Sequence, residues 1–200
     1  MPDKKRKEEK QEKQEQPGRG LYDWAQALVC SVLAAVVVFA FGVRVVGVSG
    51  GSMRETLQNG DLLLVVNRAL CGEFQRGDVV IAAKPAFERG EPIVKRVVAT
   101  GGETVDVDFI GGVVYVDGMP LEEPYIRELT YLEEGTAFPF TVPEGSVFLM
   151  GDNRNGSRDS RDPELGAVDE RCLIGRAVFL LLPGQTEELG MREWDRIGAL

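Results

Sequence analysis

Residues Pro92–Gly118, PIVKRVVATGGETVDVDFIGGVVYVDG, decide the fold. Three short runs rich in Val and Ile, PIVKRVVA, ETVDVDF and GVVYVDG, lie between Gly, Pro and Asp punctuation, the pattern of strands rather than helices. Ile110-Gly111-Gly112 and Asp117-Gly118 carry hairpin turn chemistry, so successive strands fold back on one another. Outward from this stretch the pattern recurs in DLLLVV at 61–66, GDVVIAA at 77–83, SVFLM at 146–150 and AVFLLL at 177–182. The expectation is an all-β domain of mostly antiparallel sheets over residues 47–183. Within it Glu122–Pro143 is the least regular part and reads as a loop or an inserted ribbon. Residues 184–200 read as a tail with room for a short helix.

Upstream the character changes. From Ala27 to Val43 the chain runs without a charge, and a helix of it covers roughly 25 Å, near the lower limit for a bilayer core of about 30 Å. Leu21, Trp24 and a snorkelling Arg44 extend it at the interfaces, so 21–46 reads as a transmembrane anchor. A cleaved secretory leader shares the basic front and apolar run, but this run exceeds the usual apolar length of such leaders. Residues 1–20 hold seven Lys or Arg and five acids with few apolar side chains, the composition of a solvated tail. Basic residues ahead of the span put the amino terminus in the cytoplasm and the β-domain outside.

The formal net charge of -9 argues against a nucleic-acid partner. Cys30, Cys71 and Cys172 do not make a disulfide framework, although a single Cys71–Cys172 bridge stays open. No CxxC or His-Cys spacing suggests a metal, and no cofactor is expected. The stretch GDNRNGSRDSRDPELG holds several acids, but its three arginines oppose calcium capture and favour an internally paired scaffold.

The chain contains no histidine, which excludes a Ser-His-Asp triad. Beyond residue 20 it has two lysines, Lys84 and Lys95. Lys84 precedes Pro85 at a strand end and is expected to face water. Lys95 interrupts an apolar run, and strand alternation puts it on the face of Ile93 and Val97. A free lysine, with a pKa of about 10.4, is neutral in only about one molecule in a few thousand at pH 7. Burial is what would make it a base. Ser52 follows Gly50-Gly51, where the backbone can turn sharply and aim an amide N–H at a carbonyl oxygen held by the hydroxyl. The plain alternative is that Ser52-Met53-Arg54-Glu55 is a helix capping box and Lys95 an ordinary exposed strand lysine.

Taken in order, GGSMRETLQNGD at 50–61, GDVV at 77–80, VKRVV at 94–98 and GDNRNGSRDSR at 151–161, behind an apolar anchor, resemble the bacterial signal peptidase I family. These are membrane-anchored Ser/Lys endopeptidases that remove signal peptides from exported proteins. The resemblance implies Ser52 as nucleophile, Lys95 as general base and Ser157 as the hydroxyl that orients the lysine amine. Asp159 and Arg161 would form a supporting structural pair. It implies signal peptides with small residues before the cut as partners, bound as an added strand along Val48, Gly50, Ile93 and Val94. Membrane lipid is the other expected partner, touched near Met53 and Phe74.

Glu55 stands where the family usually has proline, Gly50 where some members supply a serine hydroxyl, and the turn after VVATGGE lacks a usual proline. A carboxylate at Glu55 would hold Lys95 charged if it pointed inward, so it is expected to point outward. Two other readings remain: an inactive membrane-tethered β-domain that binds exported peptides, and a soluble self-cleaving Ser/Lys repressor. The apolar anchor and acidic balance disfavour the repressor.

Overall fold

The computed structural model describes residues 19–185 and 190–200, so the expected tail at 1–20 lies almost wholly outside the described residues. An apolar helix running to Phe41 and a β-domain from Gly42 to Leu200 form two units. In the first, α1 (Arg19–Val37) continues as one wider turn through Gly42. The 23 residues Gly20–Gly42 have a mean hydropathy of 2.3, and by length and composition they suffice to cross a bilayer. The hydroxyl of Ser31 donates to Ala27 O at 2.7 Å, so this polar side chain bonds within the helix.

The described residues of the second unit contain twelve strands. They are β1 (Val43–Gly47), β2 (Leu62–Asn67), β3 (Val79–Ala82), β4 (Ile93–Thr100), β5 (Thr104–Asp108), β6 (Val113–Val116), β7 (Met119–Pro120), β8 (Phe140–Thr141), β9 (Ser146–Met150), β10 (Val168–Asp169), β11 (Leu173–Leu182) and β12 (Gly198–Ala199). The larger sheet runs β1-β2-β11-β3-β4-β9-β10 with β12 on β11, and the smaller runs β7-β6-β5-β8. Every pairing is antiparallel.

The stretch at 92–118 becomes β4, β5 and β6, as its punctuation indicates. Asp108 Oδ1 accepts from the amides of Ile110 and Gly111, closing the β5–β6 turn. Asp117 and Gly118 both take positive φ, 51° and 75°, the tight turn between β6 and β7. Val43–Val46, expected within the anchor, are in the sheet instead: β1 pairs with β2 from Val43↔Val66 to Gly47↔Leu62. Apolar character alone cannot separate a span from a following Val-rich strand.

Alternation along each strand sorts side chains into separate clusters. In β3, Val79 and Ile81 pack with Met53, Leu57, Leu63 and Val65, whereas Val80 and Ala82 pack with Val97, Leu149 and Phe87. The smaller sheet seals Val105, Val107, Val114 and Val116 against Val98, Phe148 and Met150. Met53 and Phe74 themselves are buried in these clusters, at 2% and 6% exposure. The irregular segment 122–143 is mostly loop, with Phe140–Thr141 pairing with β5 as β8.

Gly190–Leu200, where a short helix was expected, holds one 3-10 turn at Trp194–Arg196 and then β12. All three cysteines are free thiols, and Cys71 donates to Val66 O at 3.1 Å.

Candidate active site

Ser52 lies in a loop that leaves β1 and returns at β2. The loop is closed at its base by Val48 N donating to Asp61 O and Gly60 N to Val48 O, each at 2.8 Å. Inside it the amides of Thr56 and Leu57 donate to Met53 O, a single turn with Met53 and Leu57 buried beneath. Anchored by those two side chains, the turn holds Ser52 at the rim. Lys95 comes from β4, between Ile93 and Val97, which pack into one apolar cluster. Its amine donates to Ser52 Oγ at 2.7 Å, and the residue is 4% exposed.

That burial lowers the Lys95 pKa from its ordinary 10.5. The carboxylates of Asp159, Glu134 and Glu88 oppose the shift, and Arg161 adds to it. Desolvation prevails because Asp159 is already bonded to Arg161 at 2.8 Å, with both side chains fully buried. Asp159 Oδ2 also accepts from Gly151 N at 3.0 Å, Ser157 Oγ at 2.9 Å and Arg161 Nη2 at 2.9 Å. Ser157 was expected to orient the lysine amine; its hydroxyl donates to Asp159, a bond that does not use its acceptor lone pairs. Glu134 accepts from Asp159 N at 3.1 Å, and burial with the Asp159 charge pushes its carboxyl up.

Sequence reasoning assigned no role to the residues that tie the Ser52 loop down. Asn153 does so twice, its amide donating to Ser52 O at 3.0 Å and its Nδ2 to Gly51 O at 2.9 Å. Gly151 packs so closely that a Cβ there would lie 2.2 Å from Ser157 Oγ and 2.5 Å from Ser52 O. Asp152 receives Arg96 in a two-point pair at 2.9 and 2.7 Å and the Thr56 hydroxyl at 2.5 Å. Tyr125 covers the Arg96 guanidinium at 4.0 Å, its phenol pushed up to about 12 by burial and Glu123. Their signal was the polar run after an apolar strand, but nothing in the spacing told a clamp from a turn.

Lys84 is half-buried and bonded to Leu165 O rather than facing water. Glu55 is exposed, as expected, and its segment forms turns with no helix to cap. Its φ is +85°, a region that disfavours L-residues by about 1 kcal/mol. Glu55→Gly therefore raises stability by about 0.5 kcal/mol, after the greater freedom of glycine in the unfolded chain is subtracted. Glu55→Pro, with φ locked near −65°, lowers stability instead. Thermal melts of the two variants should move in opposite directions.

Val48, expected to offer its main chain to a peptide, spends both groups on the loop base, and Gly50 N donates to Asn59 Oδ1 at 3.2 Å. Strand alternation leaves the groups of Gly47 and Ser49 on the open side of β1. Ile93 and Val94 pair with β3 but precede Arg96, the first residue of β4 paired to β9, so that edge is unpaired there. Asp152 and Asp159 face arginines, and among the described residues no cluster of His, Cys, Asp and Glu is arranged to hold a metal.

Over residues 21–182 the chain matches the family described as signal peptidase, peptidase S26. It belongs to that family. This peptidase is 34% identical over 181 residues to signal peptidase I of Bacillus licheniformis, covering 86% of this chain and 95% of the relative. Signal peptidase I T of Bacillus subtilis is 34% identical over 174 residues, 80% of this chain and 85% of that one. A probable signal peptidase I-1 of Synechocystis is 34% identical over 181 residues, 86% and 84% of the two chains. A crystal structure of a signal peptidase I from Enterococcus faecalis covers 53% of the peptidase and 97% of its own chain at 30% identity and a TM-score of 0.42.

Proposed function

We propose that this peptidase cleaves signal peptides from exported preproteins, with Ser52 as nucleophile and Lys95 as general base. The observation that carries the reading is the buried amine 2.7 Å from the hydroxyl. The neutral amine takes the Ser52 proton as Oγ attacks the scissile carbonyl carbon. The Ser52 amide N–H, unused among the described residues, stands beside the oxygen that gains charge. Collapse breaks the amide bond while the lysine ammonium returns its proton to the leaving amine, and the acyl-enzyme remains. The amine then deprotonates a water that attacks the ester carbonyl, and the ammonium returns that proton to Ser52 Oγ as the acid leaves.

Ser157, Asp159 and Arg161 act one step back, fixing the wall against which the lysine lies. A substrate strand lies along Gly47 and Ser49 on one side and Ile93 and Val94 on the other, bonded through the main chain. The Gly20–Gly42 helix serves as the anchor, with the amino terminus cytoplasmic and the β-domain outside, where preproteins emerge. Membrane lipid surrounds that helix, and nucleic acid plays no part.

The test is preprotein cleavage in detergent. Ser52→Ala abolishes it, whereas an active Ser52→Ala protein ends the assignment and favours a peptide-binding domain. For the wild type, kcat/KM rises with pH through a midpoint below lysine's ordinary 10.5, because protonated Lys95 has no lone pair to accept the serine proton. A flat profile from pH 6 to 10 contradicts a titrating lysine.

A further inference from the structure

The family-model match ends at residue 182, and the chain that follows reaches back to the nucleophile loop. Asp61 stands at the closing end of that loop and is fully buried. Its Oδ2 accepts from Gln58 N at 2.8 Å, and its Oδ1 from Gly184 N at 2.6 Å. A buried carboxylate with amide donors alone still lacks a counter-charge. Arg196 supplies it, with Nη2 2.7 Å from Oδ2 and Nη1 3.2 Å from Oδ1, and among the described residues it is the cation paired with Asp61.

The same Nη2 donates to Thr56 O at 3.2 Å, four residues from Ser52, and Thr56 bonds through its hydroxyl to Asp152. Gln58 Nε2 donates to Glu193 Oε2 at 3.3 Å. Gly184 abuts the loop so closely that a Cβ there would sit 2.1 Å from Asn59 O. Arg196 is held in turn by β12, whose Gly198 and Ala199 pair with Leu180 and Phe179 of β11. Asn153 thus ties the loop at Gly51 and Ser52, and Arg196 ties it at Thr56 and Asp61.

We infer that Arg196 is a positioning residue for the reaction: by neutralising Asp61 and holding Thr56 O, it fixes the loop that presents Ser52 to Lys95. The inference rests on the Ser52–Lys95 reading. Without the clamp the loop gains alternative positions, the hydroxyl spends less time within reach of the amine, and water enters beside Lys95. The reaction slows while the substrate edges of β1 and β4, which Arg196 does not touch, still bind peptide. Because burial is what lowers the Lys95 pKa, admitted water moves the pH–rate midpoint upward.

The experiment compares Arg196→Met, Arg196→Lys and the control Arg171→Met with wild type in preprotein cleavage across pH. Arg171 is exposed and pairs with Asp169. Arg196→Met should lose on the order of 10- to 100-fold in kcat with KM nearly unchanged, and its midpoint should shift to higher pH. Arg196→Lys keeps the charge but cannot span Asp61 and Thr56 O together, so it should lie between Met and wild type. Hydrogen exchange should quicken at the amides of 57–61 in Arg196→Met and stay as in wild type in Arg171→Met.

A wild-type kcat and midpoint in Arg196→Met overturn the inference. So does a fall in melting temperature with kcat per folded molecule unchanged, since that marks a merely structural residue. If Arg196→Met does not fold, Arg196→Lys decides by the same kcat and midpoint criteria. Ser52→Ala and Lys95→Met run alongside: cleavage at the wild-type rate by either rejects the dyad, whereas crippled controls beside a fully active Arg196→Met reject the clamp alone.

Discussion

Lys95→Met gives a protein that melts at a higher temperature and cleaves its substrate on the order of a thousandfold more slowly. Both effects have one cause. The amine is 4% exposed, and burial lowers its pKa from 10.5. The folded chain therefore binds fewer protons at this site than the unfolded chain, and stability rises with pH between the folded and unfolded values. The cost of burying the amine is largest below the folded pKa and vanishes above the unfolded one. Methionine fills similar space with no charge to desolvate. Its gain in melting temperature should be greatest near neutral pH and shrink toward pH 10. A gain independent of pH, or a loss, would show that the amine is not held neutral by its surroundings.

Gly151→Ala should cost on the order of 100-fold in kcat without touching a reacting atom. The added methyl would lie 2.2 Å from Ser157 Oγ and 2.5 Å from Ser52 O, and a real Cβ tolerates neither. The Ser52 carbonyl is also the acceptor for Asn153 N, so pushing it away breaks that tie as well. Ser52 then leaves the 2.7 Å contact with Lys95. Steady-state kinetics with a matched thermal melt checks this: the variant should still fold, with its loss in kcat. A variant with wild-type turnover would mean that the loop yields freely at Ser52.

The stretch at 92–118 announced its strands because β-branched runs and glycine turns are local signals, and the structure has them where the punctuation falls. β1 was hidden because Val43–Val46 continue an apolar run, and only pairing with β2 distinguishes strand from span. The serine and lysine stood out by elimination, since a chain without histidine and with one lysine in an apolar run leaves few candidates. The Ser157 hydroxyl was assigned to the amine by resemblance, and its bond to Asp159 was not foreseen. Asn153, Gly151 and Arg196 could not be read at all. Their importance lies in distances to main-chain and carboxylate oxygens far along the chain, which no periodicity encodes.

The Ser52–Lys95 contact joins residues 43 apart, and the tie from Asn153 to Gly51 spans 102. Proteolytic competence therefore cannot accumulate piecemeal during synthesis. A nascent chain lacking β9 and its following loop has a solvated, protonated lysine and a serine of ordinary reactivity, harmless to itself and its neighbours. On the proposed Ser52–Lys95 reading, the site becomes competent when tertiary closure dries the amine.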